Sequence, residues 1–261
     1  MHSALWVAQT GLSAMDKQLT TISNNLANVS TTAFKKDRAV FENLLYQTQR
    51  APGGLSSQNN ELPSGLQLGA GVRVTGTQKD FEVGDYNVTD RDLDIAIQGA
   101  GFFQVLQPDG TIAYTRDGRF QLNSEGQIVD STGLPLEPEI VIDQDVINIT
   151  ITEDGGVSVR RAGQTDNEQI GEINTVNFIN PTGLNFLGSN LYGETNASGA
   201  PIEGVPGEDG LGALGQGMLE ASNVNSVEEL VNLITTQRSY EMNSKVISAA
   251  DGMLSFVNQQ L

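Results

Sequence analysis

Two interleaved seven-residue series at the start of the chain limit what it can fold into more than any other feature. Leu5, Leu12, Leu19 and Leu26 form one series, and Ala8, Met15, Ile22 and Val29, each three residues on, form the other. An a/d pattern held over nearly four heptads predicts a helix that packs against other helices in the manner of a coiled coil. An ordinary amphipathic core helix gives a similar, less strictly spaced stripe. At ~1.5 Å per residue, a helix from Leu5 to Val29 would be about 36 Å long. The adjacent β-branched residues Thr31 and Thr32 mark its expected end. Asn24, Asn25 and Asn28 crowd that end, although Asn prefers caps and turns to helix interiors.

The far end of the chain mirrors the start. Leu233, Tyr240, Ile247, Leu254 and Leu261 recur every seven residues, and Ser226 with Glu229 makes an S-x-x-E capping box ahead of them. The companion positions, three residues earlier, are Leu230, Gln237, Ser244, Asp251 and Asn258, so this second seam is polar after its first member. Buried amides and carboxylates need partners. A lone pair of helices does not supply them, which points to neighbours on several faces of each helix.

Between the ends the period changes to two. "LDIAIQGAGFFQV" alternates Leu93, Ile95 and Ile97, then Phe103 and Val105, and turn signals recur at "PDG" 108–110, "RDG" 116–118, "NSEG" 123–126 and "EDGG" 153–156. This is the pattern of an antiparallel, hairpin-rich β domain. Stretches rich in Gly, Pro, Ser and Asn flank it. The expected class is therefore α+β. A discontinuous helical domain comprises 1–45 and 217–261, extended arms 46–75 and 194–216, and a central β domain 76–193.

Charge is unevenly spread. The formal net charge is −18, of which 46–216 carries −16, while 1–45 carries +1 and 217–261 carries −3. An acidic chain of this kind is not expected to bind nucleic acid, which needs clustered Lys and Arg, nor an anionic membrane surface. Near-neutral ends suit close packing of like copies. The chain has no cysteine, hence no disulfide framework or thiolate metal site. No run approaches the ~18 apolar residues of a membrane span, and the first seventeen residues do not read as a cleaved secretory signal.

No catalytic constellation stands out, and neither a cofactor nor a resident metal is expected. "GLGALG", 210–215, matches the dinucleotide fingerprint, but acids and a proline precede it where a buried strand is required. Asp90, Asp92 and Asp94 have calcium-loop spacing, yet Ile95 occupies the position of the loop glycine and Gly101 that of the bidentate Glu. The sole histidine, His2, lies at the extreme N-terminus, and with 32 acidic residues carboxylate pairs arise by chance. A calcium-binding acidic periplasmic module or enzyme is the alternative from a different class.

The stretches "SNNLANVSTTAFKKDRAVF" and "LEASNVNSVEELVNLITTQRSYEMNSKVISAADGML" resemble the N- and C-terminal signatures of the axial proteins of the bacterial flagellum, the rod and hook family. "LDIAIQGAGFFQV" and "YTRDGRFQLNSEGQIVDSTGLPL" resemble that family's shared β domain. The length and the arm "YQTQRAP…GLQLGAGVRVTGTQKDF" point to a rod rather than the longer hook members, with other axial proteins as the alternative. The resemblance implies a non-enzymatic subunit that polymerises helically, its terminal helices forming an inner tube and its β domain an outer layer. It implies as partners further copies of the chain, the proximal rod, the hook, the P-ring and L-ring proteins and the flagellar type III export apparatus. It also implies export to the periplasm without a cleaved signal peptide. The assembly interface expected on this basis comprises Leu5, Leu12, Met15, Leu19, Ile22, Leu26, Val29 and Phe34 near the start, and Leu230, Leu233, Gln237, Tyr240, Ser244, Ile247, Asp251 and Leu254 near the end. Asn24, Asn25 and Asn28 are expected to bond across subunits. Ala33 stands where the family usually has Gly, so the turn there is expected to differ, because Ala takes a positive φ less readily.

Overall fold

The computed structural model describes residues 3–50, 55–57, 60–61, 64–143, 145–161 and 167–259. His2 and Leu261 lie outside them, as does the side chain of Asn258. Two helices, α1 (Ser3–Ala27) and α2 (Ser226–Gln259), bracket many short antiparallel strands, so the chain is α+β. It divides into two compact units: residues 1–27, 37–79 and 225–261 form unit 1, and residues 28–36 and 80–224 form unit 2.

In unit 1, α1 and α2 pack along one another, and α1 also touches a two-stranded ribbon. The ribbon pairs Asp37–Asn43 with Val72–Lys79 and is bulged between Val40 and Phe41. Gly71 brings the ribbon close to α1. Its φ of 109° is open only to glycine, and a Cβ there would lie 2.1 Å from the Thr10 hydroxyl. The Val72 N–H donates to that same hydroxyl at 3.4 Å.

The start of α2 differs from the expected capping box. The Asn225 side chain caps the helix, its Oδ1 accepting from the Val227 N–H at 3.0 Å and the Glu228 N–H at 3.3 Å. The helix thus begins one residue earlier than a Ser226 cap would have it. At the other end of the pattern, α1 stops at Ala27, so Asn28 and Val29 fall beyond the helix and belong to unit 2.

Unit 2 is built from hairpins over a main core, an aromatic core and a small third cluster of Val105, Ala113 and Leu191. A five-stranded antiparallel sheet runs in the order Leu136–Glu137, Phe103–Leu106, Ile112–Thr115, Leu191–Gly193, Asn185–Gly188. A three-stranded sheet pairs Val146–Ile151, Gly156–Arg161 and Glu168–Glu172. The main core gathers Ile95, Ile97, Phe103, Phe120, Val157 and Ile173, with the Phe103 and Phe120 rings edge to face at 5.1 Å. A second, aromatic core holds Phe102, Tyr114, Phe178 and Tyr192.

Three of the four turn signals close hairpins, at 107–111, 123–127 and 152–156, with Gly110, Gly126 and Gly155 all at positive φ. The fourth, "RDG" 116–118, is no hairpin turn: Arg116 and Asp117 are buried in an irregular link. The strict alternation read in 93–105 also gives way. Ile95, Ala96 and Ile97 are all buried, as are Phe103, Gln104 and Val105, because these strands are covered on both faces.

Candidate assembly interface

The heptad positions of α1 form a continuous sheltered stripe. Ala8 and Ile22 are buried, and Leu5, Leu12, Met15, Leu19 and Leu26 are partly covered, while Trp6 and Val7 face outward. On α2, Leu233, Ile247 and Leu254 are partly covered, but Tyr240 is exposed. The companion positions Leu230, Gln237, Ser244 and Asp251 are all exposed. The sheltered companions are one residue earlier: Glu229 and Thr236 are buried, and Asn243 and Ala250 partly so. This phase shift has a steric cause. A Cβ on Gly11 would meet the Asn243 side chain at 3.3 Å, and Ala14 beside it is almost fully buried, so small residues bring the two helices close. Thr236 and Asn243 are sheltered by that closeness rather than by apolar character.

The amides at the end of α1 are bonded within the subunit. Asn25 is buried; its Nδ2 donates to the Asp37 carbonyl at 2.8 Å, and its Oδ1 accepts from the Asp37 N–H at 2.8 Å. Its side chain thus stands in for a strand partner at the first residue of the ribbon. Asn24 reaches the Asp37 carboxylate at 3.5 Å, and the Asn28 side chain accepts from the Thr31 hydroxyl at 3.1 Å. Each of the three amides therefore has a partner within the subunit. Ala33 adopts a left-handed φ of 55° while almost completely buried, so the turn takes the conformation that favours glycine without having one. Phe34, next to it, is partly covered.

Where the chain ends enter unit 2, a knot of charges appears that no sequence signal announced. Lys35 is fully buried and donates to the Glu220 carboxylate at 2.6 Å and to the Glu82 carbonyl at 2.7 Å. The other Glu220 oxygen accepts from Arg116 Nε at 2.9 Å, and Arg116 also donates to the Gly99 carbonyl at 2.6 Å. The Gly84 N–H completes the carboxylate's shell at 3.0 Å. A side chain at position 84 would drive a Cβ to 2.3 Å from the Ala221 carbonyl, so glycine is required for this approach. Burial pushes Lys35 down from 10.5 to about 8; the Arg116 charge adds to the shift and Glu220 opposes it.

Asn223 knits the same region. Its Oδ1 accepts from the Lys36 N–H at 2.8 Å, and its Nδ2 donates to the carbonyls of Asp80 and Glu82 at 2.9 and 3.1 Å. The sequence offered only an Asn ahead of a helix here, with nothing to distinguish it from the true cap, Asn225.

The remaining candidates resolve into structure. "GLGALG" runs into the strand Ala213–Gln216, which pairs antiparallel with Ile95–Gln98, so its glycines serve close backbone packing rather than a phosphate. Asp90 and Asp92 are exposed, whereas Asp94 is buried and accepts from the Thr89 hydroxyl at 2.8 Å. Among the described residues no group of three His, Cys, Asp or Glu could hold a metal ion. No described helix is long and apolar enough to cross a membrane. The units sharpen the charge asymmetry: unit 2 carries 24 acidic and 7 basic residues, net −17, and unit 1 carries 8 and 7, net −1.

Comparison with known proteins agrees with this architecture segment by segment. Residues 5–35 match a family model described as a flagella basal body rod protein, residues 96–159 one described as the flagellar hook protein FlgE/F/G D1 domain, and residues 216–260 one described as the flagellar basal body rod FlgEFG protein C-terminal. Each of these segments contributes one member of the buried triad, Lys35, Arg116 and Glu220 respectively. The chain is 54% identical over 259 residues to the flagellar basal-body rod protein FlgG of Buchnera aphidicola subsp. Schizaphis graminum, covering 99% of this chain and 100% of the relative. It is 46% identical over 260 residues to FlgG of Borreliella burgdorferi, covering 99% and 98%, and 36% identical over 260 residues to FlgG of Bacillus subtilis, covering 97% of each. With three matched segments in order and relatives aligned from end to end, the chain belongs to the flagellar basal-body rod protein family, among the FlgG proteins.

Proposed function

We propose that this chain is the structural subunit of the flagellar distal rod, and that unit 1 is the part that polymerises. In this reading α1 and α2 of successive copies pack side by side as a coiled-coil-like inner tube, and unit 2 forms the outer layer of a hollow shaft carrying torque from motor to hook. The observation that carries it is the outer surface of α2. Val227, Leu230, Val231, Ile234, Met242, Val246, Met253 and Phe256 are each 46–68 % exposed along α2. A single subunit leaves these side chains in water; a ring of neighbouring helices would bury them. The near-neutral charge of unit 1 removes the electrostatic obstacle to that packing.

A repeated heterologous contact related by a screw operation generates a filament. Within it Leu230, Gln237, Ser244 and Asp251, exposed on α2, face neighbouring copies. The heptad residues Leu5, Leu12, Met15, Leu19, Ile22, Leu26, Leu233, Ile247 and Leu254 hold the helix pair that presents them. The proximal rod, the hook and the P and L rings are the partners this role calls for, and type III export without a cleaved signal is the route. The role is structural rather than catalytic.

Ile234→Asp and Val246→Asp test the reading. Both residues are exposed, so each variant should fold with unit 2 melting normally yet fail to form rods. Rods of normal length from either variant would overturn it.

A further inference from the structure

We infer that Met242 and Met253 form one oxidative modification site, at which a peroxide converts both thioethers to sulfoxides in the free subunit and thereby bars that subunit from the polymer. The inference rests on the polymer reading above and adds to it a chemical control over which subunits are incorporated.

The placement of the methionines carries it. Four of the five methionines lie among the described residues. Met15 is partly covered on α1, and the Met218 sulfur accepts from the Gln98 side-chain amide at 3.4 Å in unit 2. Met242 and Met253 are 60% and 65% exposed, both on α2. Eleven positions separate them, so on a helix of 3.6 residues per turn they lie three turns apart and within about 20° of the same direction. Val231, Val246 and Phe256, each at least half exposed, fall within about 40° of Met242. The sheltered row of Thr236, Asn243 and Leu254 lies roughly 100° away around the helix. The two sulfurs therefore sit in one apolar stripe that the subunit itself leaves uncovered.

Chemistry separates this pair from the other two methionines. An accessible thioether sulfur attacks an oxygen of hydrogen peroxide: an S–O bond forms as the O–O bond breaks, sulfur gives up two electrons, and the peroxide is reduced to water. A flexible apolar side chain becomes a polar one. In the isolated subunit this costs little, because water solvates the new oxygen. Against a neighbouring helix it leaves a buried, unbonded acceptor at two points three turns apart. Oxidation thus acts on the contact between copies and not on the fold of either unit. Leucine at both positions would pack about as well and would lack this sensitivity.

Hydrogen peroxide applied to the full chain tests the inference. In the monomer, peptide mass spectrometry should show Met242 and Met253 gaining oxygen several-fold faster than Met15 and Met218, with the melting of unit 2 unchanged. Doubly oxidised subunits should need roughly tenfold more protein to form rods. Reduction by a pair of methionine sulfoxide reductases, one for each sulfoxide epimer, should restore assembly. The double variant Met242→Leu, Met253→Leu should form rods that peroxide treatment of the monomer no longer prevents. Doubly oxidised subunits that polymerise like untreated ones would overturn the inference while leaving the polymer reading intact. Assembly lost to peroxide equally in the leucine variant, or not regained on reduction, would overturn it too, placing the damage elsewhere. Untreated wild-type chain that forms no rods would strike the polymer reading instead.

Discussion

Replacing Glu220 by Gln should destabilise unit 2 far more than replacing Lys35 by Met, although the two side chains are partners. Gln keeps the shape but removes the anion that bonds both Lys35 and Arg116, which are buried and bonded to it at 2.6 and 2.9 Å. Breaking a buried ion pair from one side typically costs about 3–5 kcal/mol, because the remaining charge is stranded. For a unit of this size, at about 2–4 °C per kcal/mol, the midpoint should fall by roughly 6–20 °C. Met at position 35 removes a cation that is itself held at a cost. Depression from 10.5 to about 8 opposes the charged form by about 3 kcal/mol at neutral pH. Arg116 and the Gly84 N–H still hold Glu220, and loss of the Lys35 bonds to Glu220 and to the Glu82 carbonyl is offset by removal of the cost of burying its charge, so Lys35→Met should lie within about 2 kcal/mol of wild type.

The pH dependence gives the second half of the same test. Because the folded-state value lies below the unfolded one, the unfolded chain holds a proton between pH 8 and 10.5 that the folded chain has released. Stability therefore rises with pH across that window. Measured as wild type minus Lys35→Met, which cancels the other titrating groups, the gain from pH 7 to 10.5 should approach about 3 kcal/mol. Urea unfolding of the full chain, followed by circular dichroism in the β region, reads both quantities. Equal losses in Glu220→Gln and Lys35→Met at pH 7, or a difference that is flat or falls with pH, would refute the reasoning.

Three other substitutions probe separate steps. Asn25→Ala removes both bonds to the Asp37 backbone and should cost unit 1 about 2 kcal/mol, seen as earlier loss of helical ellipticity on heating while unit 2 is unaffected. Gly11→Leu forces a side chain into the 3.3 Å approach to Asn243, at a cost of about 1–3 kcal/mol; Asn243→Ala in the same chain should restore part of the lost helical melting temperature. Ala33→Val places a β-branched residue at φ 55° and should lower the stability of unit 2 by more than about 2 kcal/mol. Ala33→Gly should stay within about 1 kcal/mol, because relief of the left-handed strain offsets the lost buried methyl; calorimetry of both variants checks the contrast.

What could be read from the sequence was whatever is written locally. The N-terminal helix, expected over Leu5 to Val29 and found over Ser3–Ala27, the turns at 108–110, 123–126 and 153–156 and the α+β class all rest on spacing within a few residues. On α2 the residues sheltered within one subunit lie one position before the heptad companions, and hydrophobicity does not mark them. Thr236 and Asn243 are sheltered only because Gly11 and Ala14 let α1 come close, a fact held on the other helix. "RDG" has the composition of a turn, but its arginine is bonded to a glutamate 104 residues away. Lys35 and Glu220 are separated by 185 positions, and no period connects them.

These two kinds of information meet in "SNNLANVSTTAFKK", 23–36. Read as a helix end, its amides and its paired lysines look out of place. In the structure the stretch serves two bodies in turn. Asn25 holds the first residue of the unit 1 ribbon, Ala33 and Lys35 are core residues of unit 2, and the chain crosses between the units at 27–28 and again at 36–37. Its unusual composition follows from that double duty: an amide that can substitute for a strand partner, a turn forced to positive φ, and a long cation able to reach a buried carboxylate. Asn25→Ala should therefore register in the melting of the helices and Lys35→Met in the pH profile of the β unit. Ten residues apart in one motif, the two variants should not perturb the same transition.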